Sequence, residues 1–231
     1  MAVVTYDTRR RELEAYFDRT AVEAWKKLTS DAPVGRIRAT VRAGRDSMRA
    51  TMLSWLPEDL RGARILDAGC GTGALAVEAA KRGAHVTAID VAGTLVDLAR
   101  DRAPAFPHGA VDFRVGDMLD PALGRFDHIV AMDSLIHYEP DDVVRVLGTL
   151  AARCNRSMVV TFAPATPLLQ TMHKVGKLFP RSDRSPAIVP VREAALRKAI
   201  AKSPALLGWR VGRTVRVARG FYISQALEVT R

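Results

Sequence analysis

The chain is poor in cysteine. Its 231 residues hold only Cys70 and Cys154, far apart and in no metal-type or redox-type spacing. Neither a disulfide framework nor a cysteine-held metal centre is therefore expected, and a reducing cytoplasmic setting is the simplest expectation. Long apolar runs are missing too. None approaches the ~18 residues that a membrane-spanning helix requires. The opening stretch MAVVTYDTRRRELEAYFD has no apolar segment after its basic residues, unlike a secretory signal. There is no internal repeat and no low-complexity tract. Acid is scarce near the end: residues 153–231 hold 15 Lys/Arg against 3 Asp/Glu, whereas residues 1–152 hold 20 against 22. The net charge of +10 thus sits in the last third. Such a surface is either a solvated basic face or one that meets nucleic acid, anionic lipid or an acidic small molecule.

What is present is an alternating pattern with enough apolar content, 48%, for a sizeable core. Residues 9–29 carry Leu13, Phe17, Ala21, Ala24, Trp25 and Leu28 near helical spacing, and 36–56 form a second helical stretch ending before Pro57. Strand-like segments then alternate with helical ones. The strands are 63–68, 85–90, 111–117, 126–133 and 157–164; the helices are 73–83, 92–103 and 141–154. This order implies a parallel, doubly wound sheet. Residues 191–203 read as helical, and WRVGRTVRVARG followed by FYISQALEVT reads as a terminal antiparallel hairpin. The expected organisation is an N-terminal helical extension or lid over 1–58 and an α/β domain over 59–231. Residues 165–190 form a proline-marked, partly helical insertion over the site.

The sharpest motif is ILDAGCGTGALA, where a strand runs into Gly69, Gly71 and Gly73 and then into a helix. Glycines there permit a tight turn and close approach of a ligand to the backbone. Asp90 ends the next strand, 19 residues past Gly71, where a carboxylate can accept ribose hydroxyls. Asp117 in VGDML follows the third strand, where it and Met118 can flank an adenine. The turn is neither a dinucleotide G-x-G-x-x-G nor a Walker loop, because no Gly-Lys-Ser/Thr follows. Asp67 just before it disfavours a pyrophosphate and suits a cationic group such as an ammonium.

DAGCGTG, AID, VGDML and AMDSLIHY together resemble the class I S-adenosylmethionine-dependent methyltransferases. The resemblance implies a Rossmann-like seven-stranded doubly wound sheet with a terminal antiparallel hairpin. It also implies S-adenosylmethionine at the strand ends, with Asp67, Gly69, Cys70 and Gly71 at the methionine end. Asp90 and Val91 would hold the ribose, Asp117 and Met118 the adenine, and Met132 would lie beside them. Further segments are EAYFDRTAVEAWKKL, VRAGRDSMRATMLSWL, DSLIHYEPDDV and FAPATPLLQTMHKVGKLFPRSDRSPAI. They resemble a narrower group, the magnesium-protoporphyrin IX O-methyltransferases of bacteriochlorophyll synthesis. That likeness implies methyl transfer to a propionate of the magnesium porphyrin, giving the monomethyl ester, with magnesium belonging to the substrate and no metal site in the protein.

The resemblance makes His137 and Tyr16 the catalytic pair. His137 would orient the propionate or contact the porphyrin magnesium, and Tyr16 would fold over the mouth. A strand-end histidine bonded to backbone, and a tyrosine packed beside Phe17 and Trp25, are the alternative readings. Tyr138 reads as structural. Arg42 in VRAGR could reach the methionine carboxylate from the lid, the alternative being a solvated helix arginine. In the insertion, His173, Lys174 and Lys177 with Leu168, Leu169, Met172, Val175 and Leu178 suit an anionic membrane surface, the porphyrin, or a helix packed on its own domain. A partner implied by the resemblance is the porphyrin-binding subunit of magnesium chelatase. Nucleic acid is not expected, because DSLIHY replaces Asn-Pro-Pro-Tyr and no Pro-Cys pair occurs. Two rival functions stand: O- or N-methylation of another hydrophobic small molecule, and non-catalytic porphyrin carriage.

Overall fold

The computed structural model describes residues 6–20, 35–166 and 187–231. Helix α1 is Tyr6–Ala15, continued by a π-helical turn at Tyr16–Thr20, and α2 is Arg36–Ser54. The alternation then follows as β1 Arg64–Ala68, α3 Ala74–Lys81, β2 His85–Asp90, α4 Gly93–Arg102 and β3 Ala110–Val115. It continues with β4 Phe126–Ala131, α5 Pro140–Ala151, β5 Cys154–Phe162 and α6 Glu193–Lys202. The terminal hairpin is β6 Arg210–Arg219 and β7 Tyr222–Thr230.

These strands make one seven-stranded sheet in the order β3-β2-β1-β4-β5-β7-β6. The first five run parallel, and β7 pairs antiparallel with both β5 and β6. The order reverses between β1 and β4, which opens a crevice at their carboxyl ends. Both faces are covered, so the central strands are apolar on both sides. Met48, Met52 and Leu53 of α2, with Leu75, Ala76 and Val96, pack on one face. Val143, Val146 and Leu147 of α5, with Leu196 and Ile200 of α6, pack on the other.

Three details position the site. Gly44 brings α2 against β7: a Cβ there would lie 2.5 Å from Tyr222 Cδ1. β4 ends at Ala131, before the expected residue 133, because Asp133 adopts φ 57° and turns the chain. A 3₁₀ turn, Leu135–His137, follows. Residues 187–191 then lie across that turn. Val189 N donates to Ile136 O at 2.8 Å, Val191 N to Ala163 O at 2.8 Å, and Ala165 N to Val191 O at 2.9 Å. Residues 21–34 and 167–186 lie outside the described residues, and with them the expected roles of Trp25, His173, Lys174 and Lys177.

Candidate active site

A cavity of about 320 Å³ lies at the carboxyl ends of the strands. Its floor is the turn after β1. Gly69 N and Cys70 N both donate to Ile89 O, at 2.8 and 3.0 Å, which ties the turn to β2. Gly69 has φ 84°, and a Cβ on it would lie 2.4 Å from Ser134 Cβ. Gly71 has φ 53° with nothing within 4 Å of a Cβ position, so its backbone is open to an approaching ligand.

Asp67 is 1% exposed, and among the described residues its Oδ2 has no hydrogen-bond partner. Burial, and then the negative Asp90, push its carboxyl up to about 7, against a hydrogen bond from the Ala76 backbone. A buried, unsatisfied carboxylate oxygen facing a cavity is the complement of a cation. Asp90 accepts Gly71 N on Oδ2 at 2.8 Å and Ala92 N on Oδ1 at 3.0 Å. Both oxygens are thereby fixed toward the cavity wall, where a diol can share them. Burial raises the Asp90 pKa and these backbone hydrogen bonds oppose it. Burial, Asp90 and Asp67 together hold the Cys70 thiol well above its ordinary pKa, so it is no nucleophile. Among the described residues no group of three or more His, Cys, Asp or Glu side chains is placed to hold a metal ion.

The opposite wall is built from the residues after β4. His137 is 6% exposed and lines the cavity. Its Nδ1 lies 3.3 Å from Ala187 O. A carbonyl only accepts, so Nδ1 carries the proton in this contact. Ser134 Oγ donates to Ala68 O at 2.8 Å, joining this wall to the floor. Phe17 lies 6.2 Å from the His137 ring, centroid to centroid, and Tyr6 stacks on Tyr138 at 5.2 Å.

Asp67, Gly69, Cys70, Gly71, Asp90, Val91, Met118, Met132, Arg42 and His137 all line this one cavity. Two expected residues do not. Asp117 faces α1 instead: Tyr6 Oη donates to its Oδ1 at 2.7 Å, Leu119 N to the same oxygen at 2.9 Å, and Arg10 Nε is 3.6 Å from Oδ2. Tyr16 packs edge-on against Phe17, centroids 5.1 Å apart, and is absent from the lining. Tyr6, Arg10, Leu13 and Phe17 take its place. Their spacing of four, three and four is one helical face. Beginning the helix at residue 9 hides it.

The geometry fits S-adenosylmethionine. Asp67 would meet its ammonium, Gly71 its close approach and Asp90 its ribose. Two family models match the chain: "Magnesium-protoporphyrin IX methyltransferase C-terminus" over residues 131–231 and "Methyltransferase domain" over 65–156. A magnesium-protoporphyrin O-methyltransferase of Rhodobacter capsulatus is 51% identical over 224 residues, 96% of this chain and 97% of that one. The chloroplastic magnesium protoporphyrin IX methyltransferase of Arabidopsis thaliana is 30% identical, covering 99% of this chain and 77% of its own. A crystal structure of magnesium protoporphyrin IX methyltransferase from Synechocystis PCC 6803 with bound SAH superposes with a TM-score of 0.78. It is 27% identical over 96% of this chain and 99% of that one.

Proposed function

The chain belongs to the magnesium-protoporphyrin O-methyltransferase family, and from that premise we propose how its residues divide the work. It is an S-adenosylmethionine-dependent O-methyltransferase of magnesium protoporphyrin IX. The only oxygens of protoporphyrin IX are in its two propionates, so the product is a propionate methyl ester. We place the reaction in bacteriochlorophyll synthesis. When bound, S-adenosylmethionine supplies a methyl carbon on a sulfonium, which a propionate oxygen takes as the carbon–sulfur bond breaks.

The unpartnered Oδ2 of Asp67, buried at the end of β1, carries the donor half of this reading. Asp67 takes the ammonium and Asp90 the ribose, while Gly69, Cys70 and Gly71 shape the backbone. Val91, Met118 and Met132 supply apolar contact, and Arg42 meets the methionine carboxylate. Asp117 serves the adenine end indirectly, by anchoring α1 through Tyr6. A propionate is ionised at neutral pH, its reference pKa being near ~4 to 5, so no strong base is required. His137 orients it, and its ring is held by Ala187 and Phe17. Tyr16 acts through Phe17, whose ring it supports. In the N-terminal extension, Tyr6–Thr20 and Arg36–Ser54 serve as the lid that excludes water, because a solvated carboxylate is a poor nucleophile.

Two further contacts belong to the same reading. Ile37 and Phe221 are 59% and 64% exposed. Gly220 abuts Thr40, so the β6–β7 tip meets the first turns of α2 and puts both residues, with Arg36, Arg38 and Arg219, on one rim. Peripheral contact with an anionic membrane there suits an apolar substrate. Handover from the porphyrin-binding subunit of magnesium chelatase would spare a poorly soluble porphyrin from water. The deciding experiment is mass spectrometry of the purified protein with S-adenosylmethionine and magnesium protoporphyrin IX. One added methyl is expected, and metal-free protoporphyrin IX should react more slowly. His137→Phe should lower kcat about 10²-fold with cofactor affinity unchanged. No methyl on either porphyrin, with cofactor still bound, would overturn the substrate.

A further inference from the structure

We propose that Arg45 is the specificity-determining residue for the substrate carboxylate that is not methylated, and that Asp133 aims it. This rests on the porphyrin reading above. Asp133 lies just past β4 in the left-handed region, at φ 57°, a conformation uncommon outside glycine, and its surroundings hold it there. Four side chains do so. Arg45 Nη1 donates to Oδ2 at 2.9 Å, Tyr222 Oη lies 3.1 Å from both oxygens, Ser224 Oγ donates to Oδ1 at 3.0 Å, and Thr161 Oγ1 lies 3.3 Å from Oδ1. Asp133 N in turn donates to Thr161 Oγ1 at 2.7 Å. The carboxylate is only 8% exposed, and the close packing of Gly44 on Tyr222 carries Arg45 to it. Arg45 and Asp133 both line the cavity.

The sheet order decides which ligand this pair serves. Asp67 and Asp90 end β1 and β2, on one side of the crossover. Asp133 follows β4, Thr161 belongs to β5, and Tyr222 and Ser224 belong to β7, on the other side. Arg45 therefore stands over the acceptor half. Magnesium protoporphyrin IX brings two carboxylates there. Methyl transfer forms one O–C bond and breaks one C–S bond, cancelling the charge of the reacting carboxylate, with no proton or redox partner involved. A guanidinium on that carboxylate would grip the ground state more tightly than the transition state and slow the reaction. The carboxylate that keeps its charge throughout is the one an arginine can hold at no kinetic penalty, and a fork-shaped guanidinium suits it. The enzyme then favours the diacid over the monoester as its substrate. A second round requires the porphyrin to turn and offer a neutral ester to Arg45.

The test uses three magnesium porphyrins, the diacid and both monomethyl esters, with wild-type protein, Arg45→Gln and Arg45→Lys. Wild type should convert either monoester to diester with kcat/KM about 10- to 100-fold below that for the diacid, the range for a lost charge-assisted hydrogen bond. The same ratio should appear in cofactor-free binding, followed through the porphyrin absorption band. Arg45→Gln should raise the diacid KM to the monoester level, change kcat little and leave S-adenosylmethionine affinity intact; Arg45→Lys should restore part of the preference. A wild-type enzyme that methylates a monoester as well as the diacid overturns the assignment, even if the variants fail to fold. So does an Arg45→Gln protein that loses cofactor affinity or keeps its preference for the diacid. Failure of wild type to methylate the diacid at all sinks the porphyrin reading itself.

Discussion

Asp67 shows how much one buried oxygen can control. Its carboxyl titrates near 7 in the free protein, because burial and Asp90 disfavour the charge. Between about 4 and 7 the folded state therefore binds a proton that the unfolded state has released. Stability of the free protein falls as pH rises through that window, and the penalty is complete above it. A cationic ligand selects the ionised form, so S-adenosylmethionine affinity should rise about tenfold per pH unit up to about 7 and then level off. Asp67→Asn should stabilise the free protein at pH 8 by about 2–4 kcal/mol. It should also abolish cofactor binding, and calorimetry with thermal melts reads both. That Asp67, Asp90 and His137 share one cavity was legible in the sequence, because Asp67 and Asp90 lie at strand ends and His137 in the turn that follows a strand. Asp133 and Arg45 sit inside the quoted motifs AMDSLIHY and VRAGR yet stayed silent there. Their meaning comes from the packing of Gly44 on Tyr222, a contact between residues far apart in the chain.

The strands and helices of the alternating region read well from periodicity, because buried parallel strands are short apolar runs. Their ends read less well. β5 begins at Cys154, three residues before the expected start, since the ladder opposite Phe126 begins there. The N-terminal helix was legible, but its working face was not. Tyr6, Arg10, Leu13 and Phe17 form the stripe, and the π-helical turn from Tyr16 changes the local repeat just where Tyr16 was expected to act. The turn carrying His137 depends on the strand-like segment laid over it. Val189→Pro removes the donor to Ile136 O, on the residue before His137. It should cost about 1–3 kcal/mol and lower kcat at least tenfold, with cofactor affinity unchanged. Urea denaturation, steady-state rates and calorimetry separate these effects. An unchanged kcat would mean that Ala187 and Phe17 hold His137 alone.

Across the whole molecule, charge and shape are unevenly shared. The edge strand β6 exposes Arg210, Arg213, Arg216 and Arg219, and arginines there discourage pairing with another sheet edge. Arg213 is partly committed to Glu228, which it holds below the usual carboxylate range. The rim at Ile37 and Phe221 combines apolar tips with cations. Co-sedimentation with vesicles containing phosphatidylglycerol should decline steeply with salt. It should fall about tenfold in the doubly substituted Ile37→Ser, Phe221→Ser protein; binding to neutral vesicles as tightly would argue against an electrostatic surface. No helix among the described residues is long and apolar enough to cross a membrane. The division of the sheet into two halves has a further consequence. On the proposed reading the handles held beside β1 and β2 are an amine and a sugar diol, and the reaction leaves both unaltered. The spent cofactor would keep both handles and so would compete with the fresh one for the same berth. Initial rates at fixed total cofactor should then follow the ratio of methylated to demethylated cofactor.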